Sequence, residues 1–135
     1  MKNYKLGPNG GILTCLNLFA SDLTHLNKEM VKKKEEGTKY FVIDTPGQIE
    51  VFNWSASGQI ITQTLASDNP TVMLFIIDLV RCENPNSFMS SMLFCLSLMF
   101  RLRLPLLIVF NKSDCCKNRD TVVSWLTDYE SLLVK

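Results

Sequence analysis

Three short apolar runs most constrain how this chain can fold. They lie at residues 40–43, 72–77 and 106–110, and none of them alternates apolar with polar residues. Continuous apolar runs of this length are typical of strands buried on both faces, as in a parallel sheet. They are spaced by roughly thirty residues, the length of a strand-helix-strand unit. We therefore predict an α/β fold with mainly parallel strands flanked by helices.

The segments around these runs are predicted to be helical, since apolar residues recur there at helical spacing and form stripes. The predicted helices cover residues 13–36, 59–67, 86–100 and 120–134. Gly37 is expected to end the first helix, and Asp120 is expected to cap the last. The result is an open α/β sheet that looks incomplete at both ends.

Composition and charge narrow the class of protein. The 135 residues suit one compact domain, and 47% hydrophobic with 20% charged residues predict a buried core. A net charge of +1 lacks the basic excess of a nucleic-acid-binding protein. Five cysteines without a C-x-x-C pattern favour reduced thiols in the cytosol or nucleus. Arg101, Arg103 and Pro105 interrupt the most apolar span, so no membrane helix is predicted.

A polar residue follows each apolar run: Asp44, Asp78 and Asn111. In open α/β sheets, ligands bind outside the carboxyl ends of the strands. These three residues therefore mark a candidate ligand edge. We interpret Asp78, at the end of the middle run, as a structural or loop-ordering carboxylate.

The first motif at this edge is Asp-Thr-Pro-Gly-Gln at residues 44–48. Asp44 is placed to hold Mg²⁺ or its bound water, and Gly47 lets a backbone N–H approach a terminal phosphate. Gln48 could orient an attacking water with help from Glu50. An ordinary Asp-Thr-Pro-Gly turn after a strand is the alternative for this motif taken alone.

The second motif is Asn-Lys-Ser-Asp at residues 111–114. Guanine presents two adjacent donors, N1–H and its exocyclic amine, and the Asp114 carboxylate can accept from both. Adenine offers an acceptor at N1, so the same pocket would leave a charge unpaired. The stem of Lys112 can lie along the base, and the Asn111 amide can tie neighbouring loops together. The pattern predicts GTP as the ligand; an ATP-using relative is the alternative.

No G-x-x-x-x-G-K-[ST] motif occurs in the chain, so the usual phosphate-cradling loop is absent from this sequence. A GTP site without that loop loses most of its phosphate binding. A catalytically incompetent fragment or pseudo-GTPase that acts as a protein-interaction module is therefore the alternative to an enzyme.

Gly-Pro-Asn at residues 7–9, together with the two motifs, resembles the GPN-loop GTPases. Residues 49–58 look most like the eukaryotic first paralogue. The resemblance implies a partial P-loop NTPase-type domain over residues 1–135, three-layered and lacking its N-terminal phosphate loop and C-terminal helices. It also implies GTP and Mg²⁺ as cofactors.

The resemblance further implies a dimer, because the Gly-Pro-Asn loop of this family reaches into the partner's nucleotide site. Asn9 would then contact phosphate across a homodimer, or a heterodimer with another GPN-loop GTPase. The implied role is assembly and nuclear import of RNA polymerase II, with its subunits as partners. A cytoplasmic protein that shuttles to the nucleus is expected, with no direct contact to nucleic acid or membrane.

Overall fold

The computed structural model describes residues 7–133, which form two compact units that divide between Pro70 and Thr71. The first unit contains helices α1 (Pro8–Ser21), α2 (Leu23–Glu35), α3 (Ile49–Asn53) and α4 (Ala56–Asp68). The second contains strands β1 (Met73–Asp78) and β2 (Leu106–Asn111) with helices α5 (Pro85–Leu102), α6 (Arg119–Thr127) and α7 (Tyr129–Leu133). Within residues 7–133, no helix is both long and apolar enough to span a bilayer.

The predicted helix at residues 13–36 is wrong in its start and in its continuity. It begins at Pro8, whose fixed φ and missing N–H suit the first helical position. It breaks at Asp22, where the backbone leaves the helical region (φ −119°, ψ 32°). Next to the break, the Ser21 hydroxyl donates to the Leu18 carbonyl oxygen at 2.7 Å. Short polar side chains of this kind compete with the helical ladder.

Gly37 ends the second helix as predicted. Its φ of +96° lies in the left-handed region that glycine adopts without strain. The Thr38 N–H donates to the Lys33 carbonyl and the Gly37 N–H to the Lys34 carbonyl, both at 2.9 Å. This is the Schellman arrangement, which satisfies the last carbonyls of a helix.

An apolar core stabilises the first unit. The buried members of this core are Leu16, Leu23, Met30, Phe52, Ile61 and Leu65. Ser55 precedes α4, and its hydroxyl oxygen accepts from the Gly58 N–H at 3.0 Å. This cap starts the helix at Ala56, three residues before the predicted start at Gln59.

The strand predicted at residues 40–43 is wrong, since residues 38–46 carry no helix or strand assignment. Tyr40 is 87% exposed and Val42 is 94% exposed. An apolar run favours a strand only where a neighbouring strand pairs with it and other elements bury it. That burial is absent from these side chains.

The other two predicted strands are confirmed within a residue. β1 and β2 pair in parallel, in a register that runs from Met73–Leu106 to Asp78–Asn111. The α5 helix connects them, which confirms the predicted α/β class with parallel strands and flanking helices. The two-stranded sheet is consistent with part of a P-loop NTPase-type fold.

Local capping sets the length of α5. The Asn84 side chain accepts from the N–H groups of Asn86 (2.9 Å) and Ser87 (3.4 Å), and Pro85 occupies the first turn. The helix ends at Arg103, which adopts the left-handed conformation at φ 54°. The helix therefore extends slightly beyond the predicted residues 86–100 at both ends.

The predicted helix at residues 120–134 is divided into α6 and α7 over its described part, and its last residue, Val134, lies outside the described residues. Asp128 separates them, and its side chain accepts from the Glu130 N–H at 3.1 Å. The predicted cap at Asp120 is also wrong, because Asn118 is the N-cap and Asp120 lies in the first turn. One core packs α5, α6, α7 and the sheet together, with Phe88 against Trp125 edge-on at 5.3 Å.

Candidate functional site

The carboxyl end of the sheet brings two predicted site residues side by side. Asp78 ends β1 and pairs in register with Asn111 at the end of β2. The Leu79 N–H donates to the Asn111 carbonyl oxygen at 3.0 Å, so the segments that follow the two strands stay hydrogen-bonded as they leave the sheet. Two of the three residues predicted at one edge of the sheet therefore lie there, and ligand binding at this edge stays a prediction. The placement predicted for Asp44 at a strand end is wrong, because residues 38–43, which precede it, form no strand.

Lys112 turns the chain away from β2. Its φ of 59° is in the left-handed region, which a non-glycine residue adopts only when neighbouring groups stabilise it. The Asn111 side-chain oxygen supplies that support by accepting from the Lys112 N–H at 2.9 Å. Asn111 therefore shapes the first turn of its own loop. This contact lies within one loop, so its role in tying neighbouring loops together stays a prediction.

The Lys112 ammonium is fixed on Asp78, with Nζ 2.8 Å from Oδ2. The second Asp78 oxygen, Oδ1, accepts from the Val80 N–H at 3.1 Å. The hydrogen bond from Lys112 holds the pKa of Asp78 below its usual range, so this carboxylate is ionised at neutral pH. Asp78 thus connects the loop after β1 to the loop after β2, as its interpretation as a loop-ordering carboxylate anticipates.

Asp114 stands at the tip of this loop with its side chain exposed. The neighbouring Cys115 thiol donates to Asp114 Oδ2 at 3.4 Å, and the Cys115 N–H donates to the Lys112 carbonyl oxygen at 3.1 Å. Hydrogen bonding to Asp114 and its negative charge raise the pKa of the Cys115 thiol. The carboxylate is therefore open to a ligand that offers donors.

Glu83 was missed from the sequence. It lies in a short 3-10 turn, Arg81–Glu83, that follows β1. Its Oε1 accepts from the Lys117 N–H at 2.7 Å, from the Asn118 N–H at 3.3 Å and from the Cys116 thiol at 3.2 Å. These bonds join residues more than thirty positions apart, and no local pattern marks them.

The Asp44–Gln48 motif lies in the first unit, on exposed backbone that leads into α3. Gln48 is the N-cap residue of α3, and its carbonyl oxygen accepts from the Val51 N–H at 3.1 Å. Glu50 sits in the first turn of that helix. A Cβ added at Gly47 would meet no atom within 4 Å. The four residues given a role here are all exposed to solvent: Asp44, Gly47, Gln48 and Glu50.

Asn9 belongs to the first turn of α1, where it is exposed. The Gly7 carbonyl oxygen accepts the Gly11 N–H at 2.9 Å, so the Gly-Pro-Asn segment is built into a helix start. The predicted site residues therefore fall into a guanine-type loop in the second unit, and a phosphate-type motif with Asn9 in the first.

The chemistry around Asp44 fits Mg²⁺ held jointly with a nucleotide. Among residues 7–133, His, Cys, Asp and Glu side chains form no group of three that could enclose a metal. Mg²⁺ in nucleotide sites needs no such cage, since one or two carboxylates plus phosphate oxygens and waters complete its shell. The exposed Asp44 carboxylate, three residues before Gly47, meets that requirement.

Comparison with known proteins identifies the family. A protein-family profile described as "Conserved hypothetical ATP binding protein" matches residues 1–134. The chain is 48% identical to GPN-loop GTPase 1 of Saccharomyces cerevisiae, over 97% of this chain and 34% of the relative. It is 46% identical to GPN-loop GTPase 1 of Dictyostelium discoideum, over 97% of this chain and 33% of the relative. It is also 46% identical to GPN-loop GTPase QQT2 of Arabidopsis thaliana, over 96% of this chain and 34% of the relative.

The chain spans about a third of the length of these curated relatives. Two of the three carry the name of the first paralogue, which agrees with the resemblance of residues 49–58. The profile match covers nearly the whole chain, and all three relatives are named GPN-loop GTPases. The chain therefore belongs to the GPN-loop GTPase family.

Proposed function

We propose that this chain supplies the guanine-reading and phosphate-sensing parts of an enzyme that binds and hydrolyses GTP. The observation that carries the proposal is the loop at residues 111–114, which follows a parallel strand and exposes Asp114 while Lys112 is anchored on Asp78. A carboxylate in this position pairs with the two adjacent donors of guanine. Adenine cannot satisfy it, so the chemistry favours GTP over the ATP named in the family description.

The Asp44–Gln48 motif supplies the hydrolytic chemistry in this proposal. The Gly47 N–H approaches the γ-phosphate, and the Gln48 amide orients the attacking water together with Glu50. Asp44 holds Mg²⁺ or its water; when bound, this ion neutralises charge on the phosphate oxygens. Because these groups are exposed, they are free to meet a nucleotide.

We further propose that the active form is a dimer, either of this chain or with another GPN-loop GTPase. Asn9 then reaches the nucleotide bound to the partner, where its amide is a neutral donor to phosphate oxygens. Its exposed position in the first turn of α1 is compatible with that role.

The cellular role proposed is assembly and nuclear import of RNA polymerase II, by a cytoplasmic protein that shuttles to the nucleus. Its support is the resemblance to the first paralogue, whose name two of the relatives carry. Co-purification of polymerase subunits with the tagged protein, and loss of nuclear polymerase on its depletion, are the expected results. Normal nuclear polymerase after depletion would contradict the role.

Nucleotide titration of the chain tests the base assignment. Chemical shifts of the amides at residues 111–115 should move with GTP and Mg²⁺ and move far less with ATP. Affinity should be weak, because the sequence contains no phosphate-cradling loop. Equal shifts with both nucleotides would contradict guanine recognition. No shift with either would favour the interaction-module alternative.

Gln48→Leu tests the proposed water-orienting role. In any assembly of this chain that hydrolyses GTP, turnover should fall about a hundredfold, the cost of misplacing a reactant. Affinity for GTP should hold, because Gln48 acts on the water. Single-turnover phosphate release measures the rate, and Gln63→Leu on the exposed face of α4 is the matched control. Unchanged turnover in the Gln48 variant would remove it from the mechanism.

A further inference from the structure

Glu83 connects the turn after β1 to the loop that carries Asp114. One oxygen of the Glu83 carboxylate, Oε1, accepts all three hydrogen bonds. The donors are the backbone N–H groups of Lys117 and Asn118 and the Cys116 thiol. These donors hold the pKa of Glu83 below its usual value, the thiol contributing most, so the carboxylate is charged at neutral pH. Charge-assisted hydrogen bonds of this kind are stronger than neutral ones.

This contact also lies at the start of α6. Asn118 is the N-cap residue, yet its own side chain makes no capping hydrogen bond. The Glu83 carboxylate binds the N–H of Asn118 from outside the helix and places a negative charge near its start. The start of α6 is therefore held by Glu83, which lies in the turn after β1.

The loop that carries Asp114 is consequently held on both sides. On the strand side, Lys112 is anchored on Asp78. On the helix side, Cys116, Lys117 and Asn118 are anchored on Glu83. Only the three residues 113–115 lie between the two anchors, so the position of Asp114 depends on both of them.

We infer that Glu83 is the positioning residue for base recognition: by holding residues 116–118 it places the Asp114 carboxylate for two simultaneous hydrogen bonds to guanine. This inference rests on the proposed function and deepens it, since it names a determinant of base specificity outside the Asn-Lys-Ser-Asp motif. A carboxylate that accepts two parallel bonds tolerates little displacement. Loss of the Glu83 anchor should therefore weaken guanine binding more than adenine binding.

Two substitutions test the inference. In Glu83→Ala, the amides of Lys117 and Asn118 should exchange with solvent roughly tenfold faster, because each loses a charged acceptor. The preference for GDP over ADP, taken as the ratio of dissociation constants from NMR titration, should fall by a similar factor. Glu83→Gln retains a side-chain oxygen as acceptor and should lie between Ala and the native chain. Glu130→Ala, at an exposed position of α7, is the control and should change neither quantity.

The outcomes separate a positioning role from a structural one. Equal weakening of GDP and ADP, or faster exchange with an unchanged preference, would overturn the inference. If Glu83→Ala loses its circular dichroism signal, Glu83→Gln decides, since it preserves the shape of the side chain. If Asp114→Asn changes the base preference while neither Glu83 variant does, only this inference falls. If the native chain shows no preference for GDP over ADP, the proposed function is contradicted. The inferred positioning role of Glu83 is then contradicted as well.

Discussion

Asp114→Asn is expected to shift the preference of this chain from guanine to xanthine nucleotides. In the proposed function, the Asp114 carboxylate accepts from the N1–H and the exocyclic amine of guanine. An Asn side chain has one acceptor and one donor, so the amine of guanine then faces an amide N–H. Xanthine has a carbonyl group in place of that amine and restores the pairing. A site built on such pairs discriminates strongly, and we expect guanine affinity to fall roughly a hundredfold or more.

Competition between guanine and xanthine diphosphates, followed by chemical shifts at residues 111–115, measures this change. Asp120→Asn is the matched control, because its side chain is 97% exposed and lies outside the loop. The control should retain the native preference. An Asp114 variant that keeps the native preference would remove guanine as the ligand, whichever nucleotide the chain binds.

The two strands of the second unit and the helix between them could be predicted because their signals are local. The runs at 72–77 and 106–110 are continuous and apolar, and each ends in a polar residue. Asn84 and Pro85 form a local helix start, which the predicted start at Asn86 missed by one residue. Parallel pairing of the two strands then follows from the length of the connection between them. The positions of Asp78 and Asn111 at one edge were correct for the same reason.

The errors arise where the outcome depends on distant partners. Residues 40–43 have the composition of a strand, but a strand also needs a neighbour, which composition does not reveal. The break at Asp22 is an exception, because its cause is local: the apolar stripe continues across a residue whose backbone leaves the helical region. Glu83 makes its contacts more than thirty residues away, so its role is visible only in three dimensions.

The candidate site shows the same division. The residue types at positions 111–114 indicate base recognition because the chemistry of guanine dictates them. The support beneath them was only partly predictable: Asp78 was interpreted as loop-ordering, but its partner Lys112 could be identified only from the structure. The left-handed backbone of Lys112 is a further feature that its residue type does not indicate.

Gly58→Ala is expected to destabilise the first unit severely. A Cβ at this position would lie 2.0 Å from the Phe52 carbonyl oxygen and 2.9 Å from its carbon. The obstacle is backbone, and it is held in place: the carbonyl accepts the Ser55 hydroxyl at 3.0 Å, while the Phe52 side chain is buried in the core. We expect a loss of about 3 kcal/mol or more from this overlap, less roughly 1 kcal/mol gained from the helix propensity of Ala.

Gly47→Ala is the control for this change, because a Cβ there meets no atom within 4 Å and the backbone is not left-handed. Urea unfolding followed by amide exchange in α1 and α4 measures the effect, with the amides of α5 in the second unit as internal reference. Equal stability of the two variants would contradict the close contact at Gly58.

The comparison also separates folding from phosphate recognition. Gly58 fixes how α4 follows α3, and α3 begins directly after Gln48, so its loss should disturb the phosphate-type motif through the fold. Gly47→Ala is expected to leave the fold intact and to act only through the proposed approach of the Gly47 backbone to phosphate. If both variants lose discrimination for the γ-phosphate but only Gly58→Ala loses stability, the two glycines have different roles. Gly58 is then needed for the fold of this segment, and the Gly47 backbone contacts the ligand.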